Sequence, residues 1–273
     1  MREISLEEQK RMGFDTLSYF ADFCESHGLR YFLAYGTLLG AVRHGGFIPW
    51  DDDIDVWMPR RDYDQLLAYK DEVDASLYEL NAIETNALCW LPFGKLSRKD
   101  TVILPSPFLN NYVRRLSIDI FPLDYFTASD DEAIASAEYV RFWESETRIV
   151  RRYRHSIGTS AGLKRFVKRI AYRGACLRYG DITPRIRVWA RMLADCPPQK
   201  QENARYLVSP EELFLYKKEW FQESVKLEFE TGRFDAPSNY DAVLRVAYGD
   251  YMTPPPEKER KLPHTGKTYC VDG

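Results

Sequence analysis

The 273 residues carry a net charge of −3, with 45% hydrophobic and 29% charged side chains, the proportions of an ordinary globular chain. Mean hydropathy is −0.44, and no apolar run approaches the ~20 residues of a membrane-spanning helix, so an integral membrane protein built on helices is excluded. The opening segment, MREISLEEQKRMGF, lacks the apolar stretch of a secretory leader. Cysteines stand at positions 24, 89, 176, 196 and 270. An odd count without a C-x-x-C spacing argues against a zinc ribbon or a disulfide framework, and predicts reduced thiols in a cytoplasmic protein.

In chain order, residues 5–27 read as an amphipathic helix, with Ser5 and Glu8 in capping-box positions and Gly28 placed to end it. Tyr31 to Ala34 reads as a short buried strand. Gly36 and Gly40 bracket a tight turn into a short helix from Leu38 to His44. A second strand is expected from Ile54 to Met58, and a helix from Arg61 to Glu72. Pro92 to Leu96 and Thr101 to Leu104 are predicted to pair as a hairpin. Ser117 to Phe121 reads as a strand stopped by Pro122. Residues 130–200 are helical in pattern. Short strands return at Tyr206 to Val208 and Val225 to Phe229, and Ser238 is placed to cap a helix from Tyr240 to Tyr248. The class is α+β. The expected division is a catalytic core over 1–130, a basic helical insertion over 131–200, and a segment over 201–273 that completes the catalytic domain.

The charge is unevenly spread. Between Arg141 and Arg191 fourteen basic residues face three acidic ones, so the remainder of the chain is about −14. Within this stretch, residues 161–179 place Leu163, Phe166, Val167 and Ile170 on one helical face, ringed by Lys164, Arg165, Lys168, Arg169 and Arg173. Such a helix suits an anionic membrane surface. A helix packed on an acidic body reads the same way, and a nucleic-acid surface is not the expected use.

The densest chemical signal is Trp50-Asp51-Asp52-Asp53-Ile54-Asp55-Val56. Alternation along a strand sends Asp53 and Asp55 to one face, and Ile54 and Val56 to the other. Two carboxylates so placed repel each other, and a hard divalent cation such as Mg²⁺ or Mn²⁺ relieves this. A solvated acidic loop or a calcium turn are the plainer readings. Upstream, Gly36-Thr37 follows a strand and precedes a helix, where backbone N–H groups can meet a phosphate. Downstream, Asp119 sits alone between Ile118 and Ile120, a costly place for an acid without a partner. Arg43 and Lys95 are candidate phosphate ligands, with surface ion pairing as the alternative. Trp50, Trp90 and Tyr35 are candidate faces for a quaternary ammonium, or core residues.

Together these motifs resemble the LicD family. The segment YGTLLGAVRHGGFIPWDDDIDVWMPRRDYDQLL looks like its core motif, SIDIFPLDYF its later motif, and VLRVAYGDYMTPPPEKERKLPH its C-terminal motif. The resemblance runs from about residue 30 to 264. It implies a nucleotidyltransferase-like mixed sheet and transfer of a phosphorylated alcohol, such as phosphocholine, from a CDP-activated donor to a sugar hydroxyl of a glycan, which could be lipid-linked. By the same resemblance Asp53, Asp55 and Asp119 hold metal and carry the chemistry, and Gly36, Thr37, Arg43 and Lys95 meet the donor phosphates. The alternatives are a nucleotidyltransferase releasing pyrophosphate, and a non-catalytic polyanion- or glycan-binding module.

Overall fold

The computed structural model describes residues 1–86, 89, 91–104, 113–127, 129–144, 190–209, 213–260, 262 and 266–271. Strands and helices are mixed through the chain, and the class is α+β. After a short strand β1 (Arg2–Glu3), helix α1 (Leu6–His27) begins where Ser5 accepts the Glu8 N–H at 3.1 Å and ends on Gly28 in the left-handed conformation. The capping box is only half formed, because Arg2 takes the Glu8 carboxylate at 2.7 and 2.8 Å.

Strand β2 (Phe32–Leu33) leads directly into α2 (Tyr35–His44). This helix starts three residues before the expected Leu38, so Gly36 and Thr37 lie in its first turn rather than ahead of it. Strand β3 (Ile54–Pro59) and helix α3 (Arg60–Ala68) follow, then β4 (Tyr78–Asn81), β5 (Gly94–Arg98), β6 (Thr101–Leu104) and β7 (Ser117–Phe126). The main sheet has the order β2-β3-β7-β5-β4. In it β3 and β7 are parallel, and β5 runs antiparallel to both β7 and β4.

Two sequence expectations fail here for local reasons. The hairpin of Pro92–Leu96 with Thr101–Leu104 does not form. The Thr101 hydroxyl donates to Arg98 O and accepts the Leu116 N–H, at 2.9 and 3.0 Å. This corner sends β6 away to pair with β12 (Lys267–Cys270), while β5 enters the main sheet. Nor does Pro122 stop β7. It falls between the residues of β7 that pair with β5, ending at Ile120, and those that pair with β8 (Tyr206–Val208), starting at Asp124. On that side no ladder partner faces the missing N–H.

The C-terminal half returns to the same sheet. Strand β8 extends it from β7 and pairs with β9 (Leu215–Lys217). Strands β10 (Ser224–Phe229) and β11 (Gly232–Pro237) form a hairpin, followed by α4 (Tyr240–Tyr248), which packs against α2. Asn239, not Ser238, stands at the N-cap of α4; the Ser238 N–H is taken by Glu223 O at 3.1 Å. Residues 132–144 are helical and dock on β8 through Tyr139, Trp143 and Val208. The core lies between α1 and the sheet face bearing Ile54, Val56, Ile118 and Ile120, all at or below 2% exposure. Each such side chain contributes ~1.5–3 kcal/mol by burial. The opposite face bears the acids.

Candidate active site

Sheet register assembles the centre of the site. Asp55 on β3 is the partner of Asp119 on β7, and Asp119 is in turn the partner of Lys95 on β5. Three chemically active side chains thus form one row across three adjacent strands. Because side chains alternate, Trp57 and Phe121 follow on the same face, and Tyr35 packs edge-on against both, with centroids 4.7 and 5.2 Å away. Tyr35 is therefore a buried floor residue and offers no open face to a ligand.

Within the row, Lys95 Nζ donates to Asp119 Oδ1 at 2.5 Å, and the Ser117 hydroxyl lies 3.4 Å from the same oxygen. Lys95 lies between β4 and β7, inside the sheet rather than on a hairpin edge. Its ammonium also sits 5.3 Å from the Phe93 ring centroid. The backbone of Asp55 is held at both ends by the β2–α2 junction. Its N–H donates to Thr37 Oγ1 at 2.8 Å, and its carbonyl accepts the Ala34 N–H at 3.0 Å. Burial pushes the Asp55 carboxyl well above the usual carboxylate range; Asp53, Asp119 and Asp51 push it further, and Lys95 opposes them.

The acidic run ends beside this row. Asp53 precedes β3, in the loop, and carboxylate oxygens of Asp51, Asp52 and Asp53 lie within 4.8 Å of one another. Asp51 reaches the first turn of α2: a methyl on Gly36 would meet Asp51 Oδ2 at 2.5 Å. Glycine is required for that close approach, and a helix N-terminus favours the negative charge it admits. The residues fit a hard divalent cation such as Mg²⁺ or Mn²⁺. The donor set is all carboxylate oxygen, and the mutual repulsion that raises the Asp55 pKa is of the kind such a charge relieves.

Arg43 is placed otherwise. From the last turn of α2 its Nη1 donates to Tyr251 O at 2.7 Å, tying α2 to the segment after α4. That segment is braced by Tyr251 Oη on Asp241 and by Thr253 on Asp250, both at 2.7 Å. It then brings Arg260 to 5.0 Å from the Trp50 ring, whose edge contact with His44 is at 6.2 Å. The C-terminal motif thus reaches the residue next to the acidic run. Two residues with no local sequence signal also touch this loop, Lys10 and Glu230. Lys10 Nζ donates to Ile48 O and Pro49 O, and Glu230 accepts the Phe47 N–H. Trp90, His264 and the basic stretch 161–179 lie outside the described residues. Among the described residues no helix is long and apolar enough to cross a membrane, and Cys24, Cys196 and Cys270 form no disulfide.

Residues 28–148, which contain the whole row and the acidic run, match the family described as LicD/FKTN/FKRP, nucleotidyltransferase domain. They are a LicD-family domain. The likeness extends beyond that domain. The lipopolysaccharide cholinephosphotransferase LicD of Haemophilus influenzae is 26% identical over 294 aligned positions, spanning 99% of this chain and 100% of that protein. Human ribitol 5-phosphate transferase FKRP is 50% identical over 42 residues, which are 15% of this chain but 8% of that protein. An uncharacterized protein of Rickettsia typhi is 50% identical over 63 residues, 23% of this chain and 20% of its own length.

Proposed function

We propose that this LicD-family protein is a metal-dependent phosphotransferase that moves a phosphorylated alcohol, phosphocholine or a similar group, from a CDP-activated donor to a sugar hydroxyl of a cell-surface glycan. The observation that carries the reading is the row Asp55–Asp119–Lys95, with Asp51 to Asp53 at its end. Two full-length or partial relatives, a cholinephosphotransferase and a ribitol 5-phosphate transferase, support the reaction class.

In this reading Asp53, Asp55 and Asp119 hold Mg²⁺ or Mn²⁺. The ion would supply positive charge to the oxygens of the transferring phosphoryl group. The chain's own residues do the rest. The acceptor oxygen attacks the phosphorus distal to the nucleoside, the bond from that phosphorus to the bridging oxygen breaks, and CMP leaves with that oxygen. Asp119, held in place by Lys95, takes the hydroxyl proton. The Lys95 ammonium and the first turn of α2 at Gly36 and Thr37 face the donor phosphates. Thr37 also fixes Asp55 through its N–H, so its loss moves an acid as well as a phosphate contact. Arg43, anchored on Tyr251 O through its Nη1, is the further cation proposed for the donor phosphates.

The test is product analysis. Incubation of the protein and Mg²⁺ with CDP-choline, CDP-ribitol and CDP-glycerol, each with a lipopolysaccharide acceptor, is expected to release CMP from one donor. Release of pyrophosphate from a nucleoside triphosphate instead would make the protein a nucleotidyltransferase. Inertness toward every donor, with retained binding to glycan, would make it a binding module.

A further inference from the structure

The acidic run is delivered by the loop 45–53, and that loop is gripped from a distant part of the chain. Glu230 forms the turn between β10 and β11 and holds a positive φ of 54°, a conformation that side-chain-bearing residues adopt at a cost. From there it makes two bonds in opposite senses. Its own N–H donates to Gly45 O at 2.8 Å, and its Oε1 accepts the Phe47 N–H at 2.9 Å. The fit around Gly46 is tight: a methyl there would stand 2.3 Å from Glu230 Oε1. On the other side of Gly46, its N–H reaches Gly40 O on α2 at 3.3 Å. Lys10 then takes Ile48 O and Pro49 O, at 2.9 and 3.2 Å, and Ile48 O also accepts the Asp51 N–H at 3.0 Å. The loop is thus held at two adjoining points, by Glu230 at Gly45 and Phe47 and by Lys10 at Ile48 and Pro49, and Ile48 carries the hold on to the first acid.

We infer that Glu230 is a positioning residue for the reaction: it clasps Gly45 and Phe47 so that Asp51, Asp52 and Asp53 are presented in register with Asp55 and Asp119. The consequence for turnover rests on the phosphotransferase reading above. The clasp acts through hydrogen-bond geometry, so its amide analogue should preserve it. Glu230→Gln keeps an acceptor oxygen for the Phe47 N–H, whereas Glu230→Ala removes it. Gly46→Ala drives a methyl into the same oxygen and should disturb the clasp from the other side.

The experiment pairs CDP-choline turnover with hydrogen exchange of the peptide covering 45–53 in the full-length protein. Glu230→Ala is expected to speed exchange there and lower kcat roughly 10–100-fold, the effect of a small misplacement at a reacting centre, with a lesser change in KM. Glu230→Gln should restore both. Gly46→Ala should reproduce the defect and serves in place of Glu230→Ala if that variant does not fold. The double variant should be no worse than either single one, as expected for two residues acting through one contact. Wild-type turnover by Glu230→Ala, or a Glu230→Gln variant as impaired as the alanine, overturns the inference. Unchanged exchange over 45–53 overturns the clasp itself. A wild type inert toward CDP-alcohols instead defeats the phosphotransferase reading, and is distinguished by an exchange difference that persists.

Discussion

Asp55 and Asp119 are register partners on parallel neighbouring strands, so two acids face each other across a single strand spacing. At the ~5 Å of that spacing, two unit charges repel by about 3 kcal/mol at an effective dielectric near 20. That exceeds what an ordinary surface ion pair returns. The Lys95 ammonium on Asp119 and the raised Asp55 carboxyl, which keeps its proton longer, relieve part of that repulsion, and the remainder is a cost of the kind that sites organised for function carry.

The first prediction concerns this repulsion and pH. The folded Asp55 carboxyl titrates above its unfolded value, chiefly through burial and then through Asp53, Asp119 and Asp51. Its proton is thus held more tightly in the folded state. Its contribution to stability is greatest below the unfolded carboxylate range, near pH 4, and declines as pH rises toward the raised folded value. Asp55→Asn should flatten that decline in urea unfolding with chelator present, and should be at least as stable as the wild type near neutrality. Turnover should fall by orders of magnitude in Asp55→Asn and Asp53→Asn alike. Identical pH dependence of stability in wild type and Asp55→Asn would refute the assignment.

Lys95 gives the second. Its ammonium bonds Asp119 while both side chains keep about a fifth of their exposure. Such a pair adds at most about 1 kcal/mol to stability, but a fixed cation at a developing phosphate charge is worth ~10²–10³ in rate. Lys95→Met should therefore melt close to wild type and lose turnover by that factor. Asp119→Ala should abolish transfer yet leave measurable donor binding through Asp53, Asp55 and the α2 turn. A large melting shift in Lys95→Met with unchanged kcat would make Lys95 a structural residue.

A third prediction separates the site from the scaffold beneath it. At the far end of the same two strands, Arg60 follows β3 and Asp124 lies on β7. They form a two-pronged ion pair at 2.6 and 2.8 Å with both side chains buried. Leaving either charge unpartnered costs about 3–5 kcal/mol. Arg60 keeps Asp64 and Glu84 nearby, at 3.3 and 3.8 Å, so Asp124→Ala should lower the free energy of urea unfolding by the lower part of that range, and the double variant Arg60→Met/Asp124→Leu should recover much of it. If Asp124→Ala unfolds at the wild-type midpoint, the pair adds nothing to the fold.

How much of this was legible in sequence depends on the range of the interaction. Helix α1 and its ends were readable, because Ser5 and Gly28 act within one turn. The acids Asp53, Asp55 and Asp119 stand out because carboxylates flanked by Ile and Val need a reason to be there. Their register was not readable: nothing in DDDIDV or SIDIF says that Asp55 meets Asp119, or that Lys95 closes the row. The hairpin of β5 with β6 looked natural from spacing alone, and was undone by Thr101 bonding to Arg98 and Leu116. Arg43 reads as a phosphate ligand because it follows the Gly-Thr turn, and the bond it makes in the structure was not readable. Its partner, the Tyr251 carbonyl, lies 208 residues away. Glu230 and Lys10 are invisible for the same reason, since each acts on a loop that only tertiary packing brings near.

The last prediction concerns the basic stretch read from the sequence. Fourteen basic residues against three acidic ones between Arg141 and Arg191 make a strong local positive field on a chain that is otherwise acidic. The acids of the site come from β3, β7 and the loop before β3, all outside residues 161–179. If this stretch docks on anionic lipid, each basic side chain near the surface adds about 1 kcal/mol of attraction, and salt screens it within ~8–10 Å. Binding to phosphatidylglycerol vesicles should then be measurable by co-sedimentation at low salt and fall steeply as salt is raised. Reversing Lys164, Arg165, Lys168 and Arg169 to Glu should release the protein from vesicles. Turnover with a soluble acceptor should survive, because the row of Asp55, Asp119 and Lys95 is untouched. A wild type that stays in the supernatant at low salt would rule out the membrane role, and an unchanged affinity after charge reversal would place the contact elsewhere on the chain.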